Sequence, residues 1–411
     1  MRKIYLCIAA LYLGIVASHA QTTPQPVKDS TGYQLRKLKI DEVNFVSAYY
    51  HQDGNNSAVT GGIGTENLTD FANTLDLQLS KYGLNGRKHT FSFELGVDHY
   101  TSASSDKIDP STVSSASMQD TRIYPSLNWT VSNDKTGNAF GVTGSYSHEF
   151  DYQSFGGGLN LTRLSKDKNT QFDFKALVFL DTWKVIYPIE LRPPGYGTGS
   201  NKDDRGGNGG TIDYSPRNSF STSFSLSQVL TTRLQALLII EPSYQKGLLA
   251  TKYQRDYFTD GSARVESLPD SRYKLPIGLR FNYFLDDHFI IRTFYRYYMD
   301  SWGIRAHTAE LEIPVKITSF ISVSPFYRYN TQVGTRYFTP YGQHNPGDIY
   351  YTSDYDLSTL TSNFFGANIR FAPPNGVFGW QHFNTLELRA GHYMRSTGLN
   401  SNIVTLAMKF K

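Results

Sequence analysis

The sequence predicts an all-β fold, a transmembrane antiparallel up-and-down β-barrel of about sixteen strands. Segments of about ten residues recur in which apolar and polar side chains alternate, as expected of strands with one face toward lipid and one toward water. Short and long connections alternate between these segments, and the chain starts with a secretory signal pattern. Together these observations favour a barrel of the bacterial outer membrane.

The N-terminus has the three parts of a cleaved signal peptide. Arg2 and Lys3 form the charged start, residues 4–16 the apolar run, and Ser18 to Ala20 a small-x-small cleavage site. A spanning anchor is the alternative, but the run is short and no stop-transfer flank follows. The predicted parts are a signal peptide (1–20), a polar periplasmic leader (21–39) and the barrel (40–411).

The composition excludes several other classes of protein. The chain has 411 residues, of which 39% are hydrophobic, and its 29 Tyr and 4 Trp suit a protein with many side chains at a water–lipid boundary. No later stretch is apolar for long enough to be a spanning helix. The net charge of +4 gives no argument for nucleic acid binding. The single cysteine, Cys7, lies in the signal peptide, so no disulfide or thiol site is expected.

The strand pattern runs from residue 41 to the end of the chain. Phe91, Phe93 and Leu95, for example, alternate with Ser92 and Glu94. The last segment is expected to close the ring, and its terminal aromatic residue resembles an assembly signal, although a lysine follows it. The predicted strands are 41–51, 71–80, 89–100, 122–132, 140–150, 155–164, 172–183, 220–230, 234–244, 274–284, 289–299, 304–315, 320–330, 363–371, 385–393 and 401–411.

The predicted short turns all fall at one end of the barrel, and the long connections all fall at the other end. A soluble β-sandwich would not require this separation. Both termini are therefore predicted to be periplasmic. The glycine-rich segment 191–213 is expected either to be mobile or to fold into the barrel mouth. The short turns start at residues 81, 133, 165, 231, 285, 316 and 372, and the long extracellular loops are 52–70, 101–121, 184–219, 246–273 and 331–360.

Three stretches of the chain resemble one family. They are KLKIDEVNFVSAYYHQDGNNSAVTGGIGTENLTDF (37–71), ELGVDHYTSASSDKIDPSTVSSAS (94–117) and EFDYQSFG (149–156). They are similar to an uncharacterised bacterial outer-membrane β-barrel family, a domain of unknown function, and the similarity covers nearly the whole mature chain. The resemblance implies a secreted Gram-negative outer-membrane barrel and supplies no activity, substrate or catalytic residue.

Charged residues at inward-facing positions make the barrel interior the main candidate site. Opposite charges on opposite walls of a water-filled pore create a transverse field that sorts small solutes by charge. The alternative is that the charges pair across a narrow lumen and plug it. The predicted lumen-lining residues are Glu94, Asp98, Arg280, Arg292, Arg296, Arg328, Arg370 and Arg389, with Lys409, Glu310, Glu312, Glu387, Asp76, Glu149, Asp173 and Lys175 also inward.

Metal and enzyme sites are weaker candidates. Four histidines near the extracellular strand ends share the outward parity, which favours a polar–aromatic girdle over a metal ring, and the facing of His51 is open. Side-chain oxygens in the loops could at most bind calcium, and no other cofactor is expected. Ordinary turns are favoured over a calcium site at these residues. Hydrolase, P-loop and dinucleotide motifs are missing, so no enzyme is expected. The alternative is a membrane-embedded hydrolase that uses Ser145, Ser147 and His148, but the serines face inward and the histidine outward. The outward histidines are His99, His148, His307 and His392, and the loop candidates are Asp53, Asn55, Ser57, Asp106 and Asp109.

We therefore expect a passive channel or transport component for small polar solutes in the outer membrane. The alternative is a closed barrel that acts in binding, adhesion or complex anchoring through its long loops. An energised receptor needs a plug domain, for which residues 21–39 are too few. The expected partners are outer-membrane lipid and the barrel assembly machinery, and no nucleic acid.

Overall fold

The computed structural model describes residues 37–101, 119–194, 196 and 214–411. In this part of the chain, sixteen antiparallel strands form one closed barrel. The strands are β1 (Lys39–Asp53), β2 (Leu68–Tyr82), β3 (Lys88–Thr101), β4 (Gln119–Ser132), β5 (Ala139–His148), β6 (Tyr152–Leu164), β7 (Thr170–Lys184), β8 (Tyr214–Thr231), β9 (Leu234–Ile240 with Ser243–Gly247), β10 (Ser271–Phe284), β11 (Ile290–Asp300), β12 (Arg305–Glu312 with Val315–Lys316), β13 (Ile321–Val333), β14 (Leu360–Phe371), β15 (Phe383–Arg395) and β16 (Asn400–Phe410).

Each strand pairs with its neighbour in sequence, and the ring closes between β16 and β1. The closing register runs from Val43 opposite Phe410 to Asp53 opposite Asn400. Closure leaves no unpaired sheet edge in the barrel. Such an edge would be unfavourable in lipid, because its backbone groups would have no hydrogen-bond partner there. The predicted fold class and all predicted strands are confirmed.

Two strands are interrupted at a proline without leaving the ladder. Pro242 in β9 and Pro314 in β12 have no amide N–H to donate. Their carbonyls still accept backbone hydrogen bonds, from Thr222 N at 3.0 Å and from Ile290 N at 3.1 Å. Each pair of segments therefore acts as one barrel strand.

The strand β8 begins earlier than the alternation indicates. It starts at Tyr214, where it pairs with Lys184 of β7, whereas the sequence predicts a start at Phe220. The intervening residues are mostly polar and show no alternation. Pairing with β7 extends this strand, because backbone hydrogen bonds do not require an apolar face.

The two faces of the wall differ in polarity. Tyr50, Arg328 and Phe364 line one cavity together with the loop residues Tyr253 and Gln254, and this identifies their face as the inner one. The opposite face carries the exposed large apolar side chains, as the alternation predicts. These outer residues include Phe71, Phe93, Leu127, Phe155, Leu180, Phe224, Tyr327, Leu388 and Val404.

The connections follow the predicted parity. Short turns join the strands at the end where β1 begins and β16 ends. All the longer loops lie at the other end, which also carries the short turns 149–151, 301–304 and 396–399. No helix within the described residues is long and apolar enough to cross a membrane. In the same part of the chain the helical segments are the 3₁₀ turns Ala58–Thr60, Ile189–Leu191, Tyr355–Leu357 and Val377–Gly379.

Two of the longer loops, residues 248–270 and 334–359, are called the mouth loops. A short hairpin in the first loop pairs Arg255–Tyr257 with Ala263–Val265. Ser267 and Tyr351, one from each loop, exchange two backbone hydrogen bonds of 3.2 and 2.7 Å. The mouth loops therefore form one packed unit at the outer end of the barrel.

Several predictions fall on residues outside the described part of the chain. They are the signal peptide, most of the periplasmic leader, most of the glycine-rich segment 191–213, and the loop candidates Asp106 and Asp109. These stay predictions.

Candidate channel lumen and its mouth

The register places all the predicted lumen arginines on the inner face of one part of the wall, on β10, β11 and β13 to β15. Arg280 lies on β10, Arg292 and Arg296 on β11, Arg328 on β13, and the other two on β14 and β15. Glu94 and Asp98 lie on the inner face of β3, on the opposite side of the ring. The acidic and basic walls therefore face each other as the parity indicates.

The arginines pair with glutamates of their own wall. Arg292 Nη1 lies 2.8 Å from Glu312 Oε1, and Arg328 Nη2 lies 2.6 Å from Glu310 Oε2. Further along the wall, Arg389 Nη1 is 3.6 Å from Glu312 Oε2, and Arg370 Nε is 3.1 Å from Glu387 Oε1. Among the described residues no ion pair joins these arginines to β3, so the charges of the two walls do not neutralise each other by contact.

The basic wall retains a net positive charge. Within the described chain, Arg280 and Arg296 have no carboxylate oxygen within the 4.0 Å of an ion pair. The Arg292 side chain is 47% exposed, whereas its partner Glu312 is 14% exposed. Arg328 and Glu310 show the same asymmetry. Guanidinium groups therefore form the surface that a solute in the lumen would meet.

Aromatic rings on the inner face support these arginines. The Arg389 guanidinium carbon lies 4.0 Å from the Phe326 ring centroid, and Arg328 lies 5.6 Å from that of Phe364. Arg280 stands over Phe294 at 5.2 Å. A cation over a ring face is attracted by the ring quadrupole. We did not predict this feature, although the inward parity of these phenylalanines was available as a signal.

Two glycines make room for those rings. A Cβ on Gly391 would lie 2.6 Å from Phe364 Cε2, and one on Gly366 would lie 2.8 Å from Phe326 Cζ. Both distances are below ordinary van der Waals contact. The rings can therefore lie flat along the wall only because these positions carry no side chain.

A cavity of about 580 Å³ lies between the mouth loops and the inner wall. Its lining combines Tyr50 and Tyr253 with the charged residues Glu66, Asp354 and Arg395. Arg395 Nη2 is 3.8 Å from Glu66 Oε1, and its Nη1 pairs with Asp356. Burial raises the pKa of Glu66 and of Asp354 to about 7 each, so these carboxyls can take up a proton near neutral pH.

The mouth loops are held together by buried polar side chains. Glu266 of one loop accepts hydrogen bonds from Thr352 Oγ1 of the other at 2.5 Å and from Thr251 N at 2.5 Å. Burial raises the pKa of Glu266 to about 8 and that of Asp256 to about 6. A carboxyl this deep is least costly in its neutral form.

His344, Ser353 and Asp256 meet inside the mouth loops but do not form a catalytic triad. His344 Nε2 is 3.1 Å from Ser353 Oγ and 3.8 Å from Asp256 Oδ1, so both partners approach the same ring nitrogen. A triad requires them on different nitrogens. All three residues are buried, and burial lowers the pKa of His344. Their geometry suits loop packing.

The Ser145, Ser147 and His148 set is equally unsuited to hydrolysis. Ser147 lies on the inner face and accepts a hydrogen bond from Arg122 Nε at 2.9 Å. His148 lies on the outer face and stacks on Tyr146, with ring centroids 6.3 Å apart. A proton cannot pass directly from the serine to the imidazole across the wall.

The other histidines near the extracellular strand ends, His51, His99, His307 and His392, lie on the outer face of different strands. His99 Nδ1 and His51 Nδ1 are each 2.9 Å from a threonine hydroxyl of the neighbouring strand. His307 and His392 contact Tyr295 and Asn402 across the strands. His51 therefore faces outward, and its Nε2 also lies 3.4 Å from Asp53, one of the loop residues for which the sequence favours an ordinary turn over a calcium site.

Comparison with known proteins gives a family. A family model described as Protein of unknown function (DUF3570) matches residues 17–377. No curated protein shows significant similarity to the chain.

Solved outer-membrane barrels are similar in structure at low sequence identity. Acinetobacter baumannii OccAB3 is 8% identical, with 91% of this chain and 99% of that chain covered and a TM-score of 0.42. Pseudomonas aeruginosa OccK7 (OpdD) is 9% identical, with 92% and 99% covered and a TM-score of 0.37. A BenF-like porin from Pseudomonas fluorescens Pf-5 is 8% identical, with 90% and 98% covered and a TM-score of 0.36. At these scores, the similarity carries no argument about a solute.

Proposed function

The chain belongs to the family described as Protein of unknown function (DUF3570), and on this premise we propose that its barrel is a passive outer-membrane channel for small polar solutes. The observation that carries the proposal is the row of exposed arginines on one inner wall opposite Glu94 and Asp98. A lumen wall that keeps charged groups in water is what a hydrophilic solute requires.

The surplus of positive charge supports a preference for anions. Arg280 and Arg296 have no acidic partner among the described residues, and the paired glutamates are more covered than their arginines. A wall with surplus positive charge raises the local concentration of anions beside it, even though Glu94 and Asp98 lie on the opposite wall. Small anionic solutes are therefore the class that fits this lumen.

The test is single-channel conductance of the refolded barrel in a planar bilayer under a salt gradient. We expect stable open steps with a preference for anions. Replacing Arg296 and Arg328 together by alanine should lower the ratio of anion to cation permeability several-fold, because the wall loses two positive charges. The control is Arg87→Ala with Arg233→Ala, two exposed arginines of short turns, which changes the net charge equally.

An unchanged reversal potential in the Arg296→Ala, Arg328→Ala variant would remove these residues from the constriction. An equal shift in the control variant would show that overall charge, and not the lumen wall, sets the selectivity.

A second candidate function is a closed barrel that binds partners through its loops. It is favoured by the packing of the two mouth loops into one polar cluster against the inner wall. Absence of conductance from a folded, heat-modifiable barrel would support this candidate against the channel. The next experiment would then be capture of the partner from outer-membrane extracts on immobilised wild-type barrel, compared with a variant lacking residues 340–350.

A further inference from the structure

Three carboxylates meet at the outer end of strands β4 to β6, away from the arginine wall. Asp120 is the second residue of β4, and Glu149 and Asp151 lie in the tight turn between β5 and β6. One carboxylate oxygen of each lies within 4.8 Å of the other two. The turn is fixed from both sides, because Glu149 N donates to Tyr152 O and Lys184 N donates to Asp151 O, each at 2.8 Å.

The Asp151 carboxylate is buried in this cluster, and one of its two oxygens has no hydrogen-bond donor. Asp151 is 2% exposed, and its Oδ1 has no hydrogen-bond partner. A buried carboxylate without a donor costs free energy unless a proton or a cation compensates it.

The basic residues nearby do not provide that compensation. Arg122 Nε lies 3.5 Å from Glu149 Oε1, and the hydroxyl of Tyr100 donates to Glu149 Oε2. The Lys184 ammonium stands over the Phe150 ring, 4.3 Å from its centroid. Among the described residues, Asp151 has no basic group within ion-pair distance. Arg122 pairs with Glu149 and therefore leaves the charge of Asp151 without an ion pair in the described part of the chain.

We propose that Asp120, Glu149 and Asp151 bind a divalent cation, Ca²⁺ in preference to Mg²⁺. The donors are all oxygen, which selects hard cations over zinc or copper. Two ligands on opposite sides of one Ca²⁺ are up to about 5 Å apart, which matches the spread of these oxygens. Backbone carbonyls and water complete the six to eight ligands of Ca²⁺, whereas Mg²⁺ demands a tighter octahedron.

The site would join separate parts of the barrel rim. Asp120 comes from β4, and the other two ligands come from the turn that connects β5 to β6, so one ion ties three strands together. This is a different place from the Asp53 loop that the sequence suggests for calcium. The proposal does not depend on whether the lumen conducts.

The first measurement is terbium luminescence of the purified barrel in detergent, with Tb³⁺ as the probe and Ca²⁺ and Mg²⁺ as competitors. Tyr100 bonds to Glu149 and is placed to sensitise the bound ion. We expect Ca²⁺ to displace Tb³⁺ with a Kd of about 10⁻⁴ to 10⁻³ M, and Mg²⁺ to compete less well. Asp151→Asn should weaken binding at least tenfold. The control is Asp260→Asn, an exposed carboxylate in the hairpin of a mouth loop.

The second measurement is the thermal unfolding midpoint with EDTA and with about 10 mM CaCl₂, a concentration well above that Kd range. In EDTA, Asp151→Asn should be at least as stable as the wild type, because it removes a buried charge. In CaCl₂ the wild type should gain several degrees and the variant should not. NaCl at equal ionic strength controls for screening, and Asp120→Asn replaces the first variant if that variant does not fold.

Three results would overturn the proposal. The first is no sensitised luminescence in the wild type, and the second is equal Ca²⁺ competition in the wild type and in both cluster variants. The third is a midpoint that rises as the pH falls but does not respond to Ca²⁺, which would mean that a proton alone compensates Asp151.

Discussion

Glu266 is a buried carboxyl that links the two mouth loops, so its ionisation should affect their packing. Its side chain is 2% exposed, and its carboxyl joins the two loops through Thr352. Lys252 is close, but its Nζ donates to the backbone carbonyl of Glu266 at 2.8 Å and not to the carboxylate. Burial is therefore the main cause of the raised pKa, and a neutral carboxyl is the form that suits the closed loops.

The sign of the pH dependence follows from this shift. The pKa of Glu266 rises from 4.5 with the carboxyl in water to about 8 in the packed loops. The packed state therefore binds the proton more tightly, its stability is fully present below pH 4.5, and it is lost as the pH rises through 8. Between these values, loop opening should increase by up to about tenfold per pH unit.

We expect hydrogen–deuterium exchange in residues 251–267 and 335–358 to be faster at pH 9 than at pH 6 once the rates are corrected for intrinsic exchange. Glu266→Gln, which keeps the shape and removes the charge, should flatten most of this dependence. Asp260→Asn, an exposed carboxyl in the same hairpin, should leave it unchanged. Equal pH dependence in the wild type and Glu266→Gln would contradict the assignment.

At the scale of the element, the inner faces of β11 to β15 form a wall in which aromatic and basic residues depend on each other. Phe326 is 5% exposed and lies against both Arg389 and Phe364. The Arg389 guanidinium lies over the Phe326 ring, and Gly391 and Gly366 leave the space that the rings occupy. The position of each arginine therefore depends on neighbouring strands as well as on its own.

A double-mutant cycle measures this dependence. Phe326→Leu and Arg389→Gln should each lower the free energy of unfolding, and their coupling should be about 0.5–2 kcal/mol, the range for a cation–π contact. The measurement is denaturant unfolding of the barrel in lipid vesicles. The matched cycle pairs Arg389→Gln with Phe294→Leu, whose ring carries Arg280, and should be close to additive. Additivity in the first cycle would show that the ring does not hold the arginine.

At the scale of the whole molecule, the strands form a closed ring, and the mouth loops narrow the lumen at its outer end. The loops come from the connections β9–β10 and β13–β14, and they meet through the Ser267–Tyr351 backbone pair. Phe258, Tyr351 and His344 pack around the junction, with centroids 4.9 Å apart for Phe258 and Tyr351. The two loops should therefore move as one unit or separate at this junction.

A disulfide between the loops distinguishes these cases. Ser267→Cys with Tyr351→Cys adds two cysteines to a chain whose own Cys7 lies in the predicted signal peptide. At pH 6 we expect the oxidised and reduced variants to conduct equally, because the loops are packed in both. At pH 9 the conductance of the reduced variant should be higher than at pH 6, because ionised Glu266 loosens the junction. The conductance of the oxidised variant should be the same at both pH values.

Both the reduced double variant and the two single-cysteine variants serve as controls for the loss of the Tyr351 ring. Equal conductance of the oxidised and reduced forms at pH 9 would mean that the loops do not separate there. A difference already present at pH 6 would mean that the junction is open in the resting barrel.

Much of the fold could be predicted because its causes are local. Whether Phe93 faces outward and Glu94 inward depends on the period of a strand, and the parity of the loops depends only on counting strands. The same two-residue period also predicts that the lumen arginines lie on the inner face. The early start of β8 at Tyr214 could not be predicted, because its residues are held by pairing with β7 and not by their own pattern.

The sequence by itself determined the fold class, the order of the strands and the face on which each charge lies, since alternation and loop parity are encoded in neighbouring residues. The tertiary structure alone decided which side chains meet. It brings Arg389 to Phe326, Glu266 to Thr352, and Asp151 to Asp120. The members of each pair belong to different strands or loops, and ring closure and loop packing set their distances. No local pattern records those distances, so the site geometry had to come from the folded molecule.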